Sequence, residues 1–98
     1  MTHPAVERRA PRALSFSVSA DMPEVVLEDG RVVDAPLAWF PRLLHGTVEE
    51  RARARLIGQG EGIHLPALDE DVSVEALLAG RPSAESDSSL KRWLEIRG

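Results

Sequence analysis

Glu24-Val25-Val26-Leu27-Glu28-Asp29-Gly30-Arg31-Val32-Val33-Asp34-Ala35 is the stretch on which the fold turns. Two valine-rich runs flank one Asp-Gly pair. β-Branched side chains favour extended backbone. Asp-Gly tolerates the positive φ angles of a two-residue type I′ turn, whose twist matches that of the strands it joins. The spacing predicts strands over residues 24–28 and 31–35, paired antiparallel. Glu28 and Arg31 stand at the strand ends, where opposite charges can pair across the turn.

On the N-terminal side, Leu14, Phe16 and Val18 alternate with Ser15, Ser17 and Ser19. Period two marks a half-buried strand, and Asp21-Met22-Pro23 reads as the turn that returns it to the hairpin. Residues 1–12 carry two prolines and mixed charge with little apolar content, which predicts a loose tail.

On the C-terminal side, Pro36 ends the third strand. Pro41 disfavours a helical Phe40 and suits the first turn of a short helix through Arg42-Leu43-Leu44. Thr47-Val48-Glu49-Glu50 is a capping box. It predicts a helix over residues 48–57, with Val48, Ala52 and Leu56 on one face, Arg51 and Arg55 on another, and Gly58 as its stop. Ile63-His64-Leu65 is a short strand between Gly62 and Pro66, and residues 68–73 read as a loop. Ser73 or Asp71 caps a short helix over residues 74–79. Ser83 or Ser86 caps a last one reaching about Arg97, with Leu90, Trp93 and Leu94 as its apolar stripe. The expected fold class is α+β: a small antiparallel sheet with an Asp-Gly hairpin, packed by three or four short helices. The chain divides into a tail (1–12), a domain (13–80) and a C-terminal helical extension (81–98).

Composition narrows the function classes. A chain of 98 residues is one domain, and 43% apolar content supplies one modest core. There is no cysteine, so disulfides, thiolate catalysis and Cys-based metal sites are excluded. Small secreted domains usually need disulfide staples. No apolar run approaches the ~20 residues of a membrane span, and the N-terminus lacks the apolar stretch of a secretory signal. The expected compartment is cytoplasmic. A net charge of −4 argues against non-specific nucleic-acid binding, while leaving a local basic face open.

Each stretch that invites a chemical role has a plainer reading. Gly58-Gln59-Gly60-Glu61-Gly62 resembles a phosphate loop. Such loops run from a strand into a helix N-terminus, whereas here a helix is expected first and a strand after. Asp69-Glu70-Asp71 lacks the spacing of an EF-hand and reads as a solvated loop. His3, His45 and His64 are scattered singly, without the pairing of a zinc site. His64 and Asp69 form the one conceivable acid–base pair, with no nucleophile beside them. Arg42, Arg51, Arg53 and Arg55 concentrate basic charge, partly neutralised by Glu49 and Glu50. Trp39-Phe40-Pro41 closes one end of the core or, if exposed, forms a docking surface.

These residues also carry a resemblance. Leu27-Glu28-Asp29-Gly30-Arg31, then Pro36-Leu37-Ala38-Trp39-Phe40-Pro41-Arg42-Leu43, then Glu50-Arg51, Ile57-Gly58-Gln59-Gly60-Glu61-Gly62-Ile63-His64 and the run from Leu68 to Gly80 resemble the bacterial DUF2442 family over residues 13–80. The resemblance implies a compact α+β domain similar to the N-terminal half of a two-domain relative that carries a helix-turn-helix. Residues 81–98 are too few for that second half, so DNA binding is not expected to carry over. It implies no catalytic residues. It also implies a neighbourhood of co-encoded small DUF4160-type proteins, which suggests a toxin–antitoxin association.

The expectation is a non-catalytic interaction or regulatory module with no cofactor and no metal. Its partner is a co-encoded small protein or a second copy of the chain, and its candidate binding residues are Trp39, Phe40, Arg42, Arg51, Arg55, His64 and Asp69. A nucleic-acid-linked regulator using the Arg-rich helix face is the alternative.

Overall fold

The structure, a computed structural model, describes residues 10–19 and 21–98. Two three-stranded antiparallel sheets form it. The first has the order β1 (Ala13–Ser19), β2 (Met22–Leu27), β3 (Val32–Asp34), and the second β4 (Arg55–Ile57), β5 (Gly62–Leu65), β6 (Glu70–Ser73). Short helices α1 (Pro41–Leu44) and α2 (Val48–Arg51) connect the sheets; α3 (Val74–Leu78) and α4 (Asp87–Arg97) follow the second. The expected α+β class holds, with two sheets where one was expected.

The first sheet follows the alternation from Ser15 onward, whereas Leu14, expected on the face of Phe16 and Val18, is exposed at a bulge. Phe16 lies opposite Val25 and Val18 opposite Pro23, so these side chains share the core face with Leu27. Ser15, Ser17 and Ser19 lie opposite Val26, Glu24 and Met22 on the other face. A bulge between Ala13 and Ser15 shifts the register. The residues expected to form a turn before β2, Met22 and Pro23, belong to the strand instead.

The hairpin differs in detail from the two-residue turn. Gly30 has φ +93°, while Asp29 is not in the left-handed region. Gly30 N–H donates to the Leu27 carbonyl and Leu27 N–H to the Arg31 carbonyl. Glu28-Asp29-Gly30 is thus a three-residue loop with its glycine in the left-handed position, the next commonest hairpin connection. Asp29 favours it by accepting from Arg31 N–H at 3.1 Å and from Arg31 Nε at 2.9 Å. Arg31 therefore pairs with Asp29 and not with Glu28. Glu28 instead accepts from Arg12 N–H and donates its own N–H to the Arg12 carbonyl. Residues 10–12 are consequently tied to the sheet. The rest of the expected tail, residues 1–9, lies outside the described residues.

The second sheet corrects the sequence reading most. The capping box forms as expected: Glu50 N–H donates to Thr47 Oγ1 and Thr47 N–H to the Glu50 carboxylate. The helix it starts is one turn long. Residues 55–57 leave it to pair with residues 62–64 as β4 and β5. Residues 70–73, read as loop, form β6. Gly58, Gln59 and Gly60 all take positive φ in the tight connection between β4 and β5. A Cβ on Gly60 would stand 2.6 Å from the Ala13 carbonyl oxygen, so glycine lets this connection press against the start of β1.

Both sheets feed one core. Val25 and Leu27 from the first, Ile63 and Leu65 from the second, and Leu43, Leu68 and Val74 from the helices and turns are almost completely excluded from solvent. Ser73 caps α3 through Ala76 N–H and Ser86 caps α4 through Ser89 N–H. Trp93 of α4 packs against the core as a partly buried side chain.

Candidate functional site

The arginine concentration disperses once the chain folds. Arg42 turns toward the C-terminal extension: its Nε and Nη2 hold the Glu85 carboxylate at 2.9 and 2.6 Å, and its Nη1 donates to the Asp69 carbonyl at 3.1 Å. Ser89 Oγ donates to the same carboxylate. These bonds hold Glu85 below its ordinary carboxylate pKa. The Trp93 ring receives two guanidinium groups, Arg42 at 5.0 Å and Arg97 at 4.7 Å from its centre, an attraction of cation for π-face. Arg97 then clamps Glu50 at 2.8 and 3.0 Å, which draws Glu50 down to about 2. The seam from Arg42 through Trp93 to Glu50 fastens α4 to the domain. Glu85, Trp93 and Arg97 were not among the expected site residues; only folding brings them to Arg42.

Arg51 is equally occupied, donating from Nε to the Leu43 carbonyl at 2.8 Å and from Nη2 to the Leu44 carbonyl at 3.2 Å. It adds a donor to the Leu43 carbonyl, which also accepts from Gly46 N–H, and reaches the Leu44 carbonyl at the end of α1. Arg55 is on β4, so the helical face expected to hold Arg51 and Arg55 together does not exist. Arg55 instead stands opposite His64, and His64 opposite Asp71. His64 Nδ1 pairs with Asp71 Oδ1, not with Asp69. Asp69 sits in the left-handed region at φ +50°, exposed, with its carboxylate 3.6 Å from Arg42. Phe40 is buried and Trp39 half-buried, its carbonyl accepting from Ser83 N–H. Phe40 is part of the core and Trp39 packs against it. Among the described residues no group of three or more His, Asp or Glu side chains converges as a metal site, and no helix is long and apolar enough to cross a membrane.

The strand edges hold what the expected list lacks. An edge strand presents unpaired N–H and C=O groups, and proteins guard such edges with shortness, charge, proline or cover. β3 has three residues, one of them Asp34, and Pro36 follows closely. β4 has three residues and carries Arg55. β6 carries Glu70 and Asp71, and a groove of about 300 Å³ separates it from residues 81–84. Glu70 in that groove is raised to about 7, chiefly by burial and then by the charge of Glu85.

β1 is the exception. It is the longest strand, seven residues, and Ala-Leu-Ser-Phe-Ser-Val-Ser contains no charge, proline or glycine. Its N-terminal half is protected by the bulge and by the contact of Gly60 with Ala13. Residues 15–19 lie beyond the bulge, with β4 close to β1 and α2 alongside Phe16–Val18. Among the described residues no backbone hydrogen bond reaches them apart from those to β2. Beside them runs a groove of about 400 Å³ of mixed polarity, lined by Phe16, Ser17 and Val18 on one side and Val48, Arg51 and Ala52 on the other. Val48 is 74% exposed although it opens a helix that faces the groove. The sequence signal was present in the uncharged alternation. The sequence reading looks instead to the outer strand of the hairpin, which is the three-residue β3.

Two small antiparallel sheets on one core, joined by single-turn helices, define an α+β domain. The chain belongs to the DUF2442 family, described as a protein of unknown function, whose profile matches residues 17–83. A protein of unknown function from Rhodospirillum rubrum ATCC 11170, solved by crystallography at 2.75 Å, is similar, with a TM-score of 0.69 and 25% identity over 84% of this chain and 99% of that one. No curated protein matches the chain.

Proposed function

We propose that the chain is a non-catalytic, cytoplasmic protein-interaction module that docks its partner by strand addition at β1. The observation that carries this reading is the contrast among the four sheet edges of the described residues: three are short or charged, and β1 alone is long and uncharged, with residues 15–19 paired only to β2. In strand addition, main-chain hydrogen bonds supply affinity and pockets for alternate side chains supply selectivity. The groove beside Phe16 and Val18 supplies the pockets. The incoming segment is extended and uncharged, with apolar side chains at alternate positions on the groove side. A regulatory, antitoxin-like role toward a co-encoded small protein is the specific form of this reading, and it rests on the family association rather than on geometry. The arginine-face regulator loses support, because Arg42 and Arg51 are committed within the domain.

Ser17→Lys tests the mode of docking. A lysine on an open edge blocks pairing while leaving the buried face alone. Co-expression of the full chain with its co-encoded small protein should give a complex that Ser17→Lys abolishes. Val32→Lys, on the guarded edge, should leave it intact. A complex indifferent to Ser17→Lys would overturn strand addition at β1.

A further inference from the structure

The C-terminal extension is held on the domain by polar and charged contacts more than by burial. No residue of α4 is buried, and Trp93 alone of its side chains packs against the core. Its other holds are Glu85 on Arg42, Ser83 N–H on the Trp39 carbonyl, and Arg97 on Glu50 and on the His45 carbonyl.

Where this extension begins, one guanidinium stands among three carboxyls. Arg42 commits Nε and Nη2 to Glu85 and Nη1 to the Leu68 and Asp69 carbonyls. The Asp69 carboxylate, 3.6 Å from Nη1, is largely solvated. Glu70 is placed differently. It is half-buried in the groove of about 300 Å³ between β6 and residues 81–84. Among the described residues no hydrogen bond reaches its carboxyl. Arg81 lines the same groove without forming an ion pair with it. Ionised, Glu70 would be a partly buried anion with no hydrogen-bonded partner, set beside the carboxylate of Glu85. Such an anion is unfavourable, and a carboxyl so placed keeps its proton instead.

We infer that residues 81–97 form a strap whose closure on the domain is coupled to a proton on Glu70: the protonated carboxyl accepts the closed strap, and the ionised one loosens it.

The sign follows from what closure does to the carboxyl. In the closed strap, residues 81–84 wall the groove and Glu85 lies close by. Burial first, and then the charge of Glu85, push Glu70 up to about 7; Arg42 opposes them, and Asp71 and Asp69 add to the rise. When the strap opens, that wall and the Glu85 charge withdraw, and Glu70 returns toward its ordinary 4.5. Closure therefore takes up a proton between these two values. The strap is held most firmly below pH 4.5 and loosens as pH rises toward about 7. Complete return to the ordinary value sets a ceiling of about 300-fold on the change in opening. The other carboxylates of the strap do not titrate in this window: Arg42 and Ser89 hold Glu85 below its ordinary range, and Arg97 draws Glu50 down to about 2.

Amide exchange on the full chain, expressed as protection relative to the intrinsic rate at each pH, reads opening of the strap over Asp87–Arg97. Protection there should fall at least about tenfold between pH 4.5 and neutrality. Glu70→Gln should flatten that profile and keep the strap closed above neutrality. The coupling is reciprocal, so releasing the strap must move the proton. In Trp93→Ala the Glu70 carboxyl, followed by carbon NMR, should titrate nearer 4.5 than 7. Where Trp93→Ala does not fold, Arg97→Gln removes the clamp on Glu50 and makes the same comparison. Protection in α4 that ignores pH overturns the inference, as does a fall that persists in Glu70→Gln. A Glu70 midpoint that is the same with the strap held and released overturns it too, because the proton would then belong to the domain alone.

Discussion

The outer edge of β1 and the outer edge of β6 bound the two sheets of one molecule, and they are built on opposite plans. β6 exposes Asp71, places Glu70 in a groove and faces residues 81–84 across it. β1 offers serine, phenylalanine and valine with no charge over seven residues. An open uncharged edge is an aggregation hazard unless something pairs with it. The difference teaches that the C-terminal extension belongs to the guarded side. Its anchors, Glu85 on Arg42 and Arg97 on Glu50, hold it on the domain through α4, away from β1.

The largest way to break the contrast is to remove the core that both sheets share. Leu65 is completely buried beneath the second sheet. Leu65→Ala should cost about 2–5 kcal/mol, read from urea or guanidinium unfolding. If one cooperative unit carries both edges, hydrogen-exchange protection of β1 and β6 will fall together. Loss confined to β6 would show that the sheets are separate units.

Arg42→Ala acts on one side only. It leaves Glu85, whose side chain is 8% exposed, without its guanidinium partner, and removes one cation from Trp93. Hydrogen bonds to charged groups contribute roughly 1.5–3 kcal/mol, so destabilisation of about that size is expected. Amide exchange should accelerate over Asp87–Arg97, while β1 keeps its protection relative to the global value. Equal acceleration in β1 would mean that the extension supports both edges.

The smallest effect is a pH dependence confined to the guarded edge. Burial raises Glu70 from 4.5 to about 7, so the folded chain keeps a proton that the unfolded chain has released. Stability from this group is full below pH 4.5 and is lost as pH rises toward about 7. Glu50 behaves oppositely: drawn down to about 2 by Arg97, it contributes above pH 4.5 and is lost as pH falls toward 2. Glu70→Gln cannot ionise, so its melting temperature should exceed that of the parent above neutrality and match it near pH 4.5. A parent curve that is flat between pH 4.5 and neutrality would remove Glu70 from the account. Strand addition at β1 should not follow this titration.

Much of the first sheet was legible because its signals are local. Leu14 to Ser19 alternate over consecutive residues, and Gly30 marks a turn whose conformation few other residues adopt. The caps at Thr47, Ser73 and Ser86 were legible for the same reason, since a cap acts within three residues. The second sheet was not. Val48, Ala52 and Leu56 fit a helical face, and nothing nearby contradicts them. What ends α2 at Arg51 is the pairing of Leu56 with Ile63 and of Ile63 with Val72, and strand propensity depends on such neighbours. The candidate site shows the same divide. Arg42 was singled out from the sequence, but its partner Glu85 is 43 residues away, and a separation of that size leaves no periodic trace.

By itself, then, the sequence determined the hairpin, the caps, the α+β class and the uncharged alternation of β1, because each is settled by steric and hydrogen-bonding preferences among residues a few positions apart. That residues 55–57 are a strand, and that Arg42, Arg51 and Arg97 are internal fastenings, was decided only by the tertiary structure. Those outcomes depend on which segments meet across the core, and burial and strand pairing select them only once the whole chain has folded.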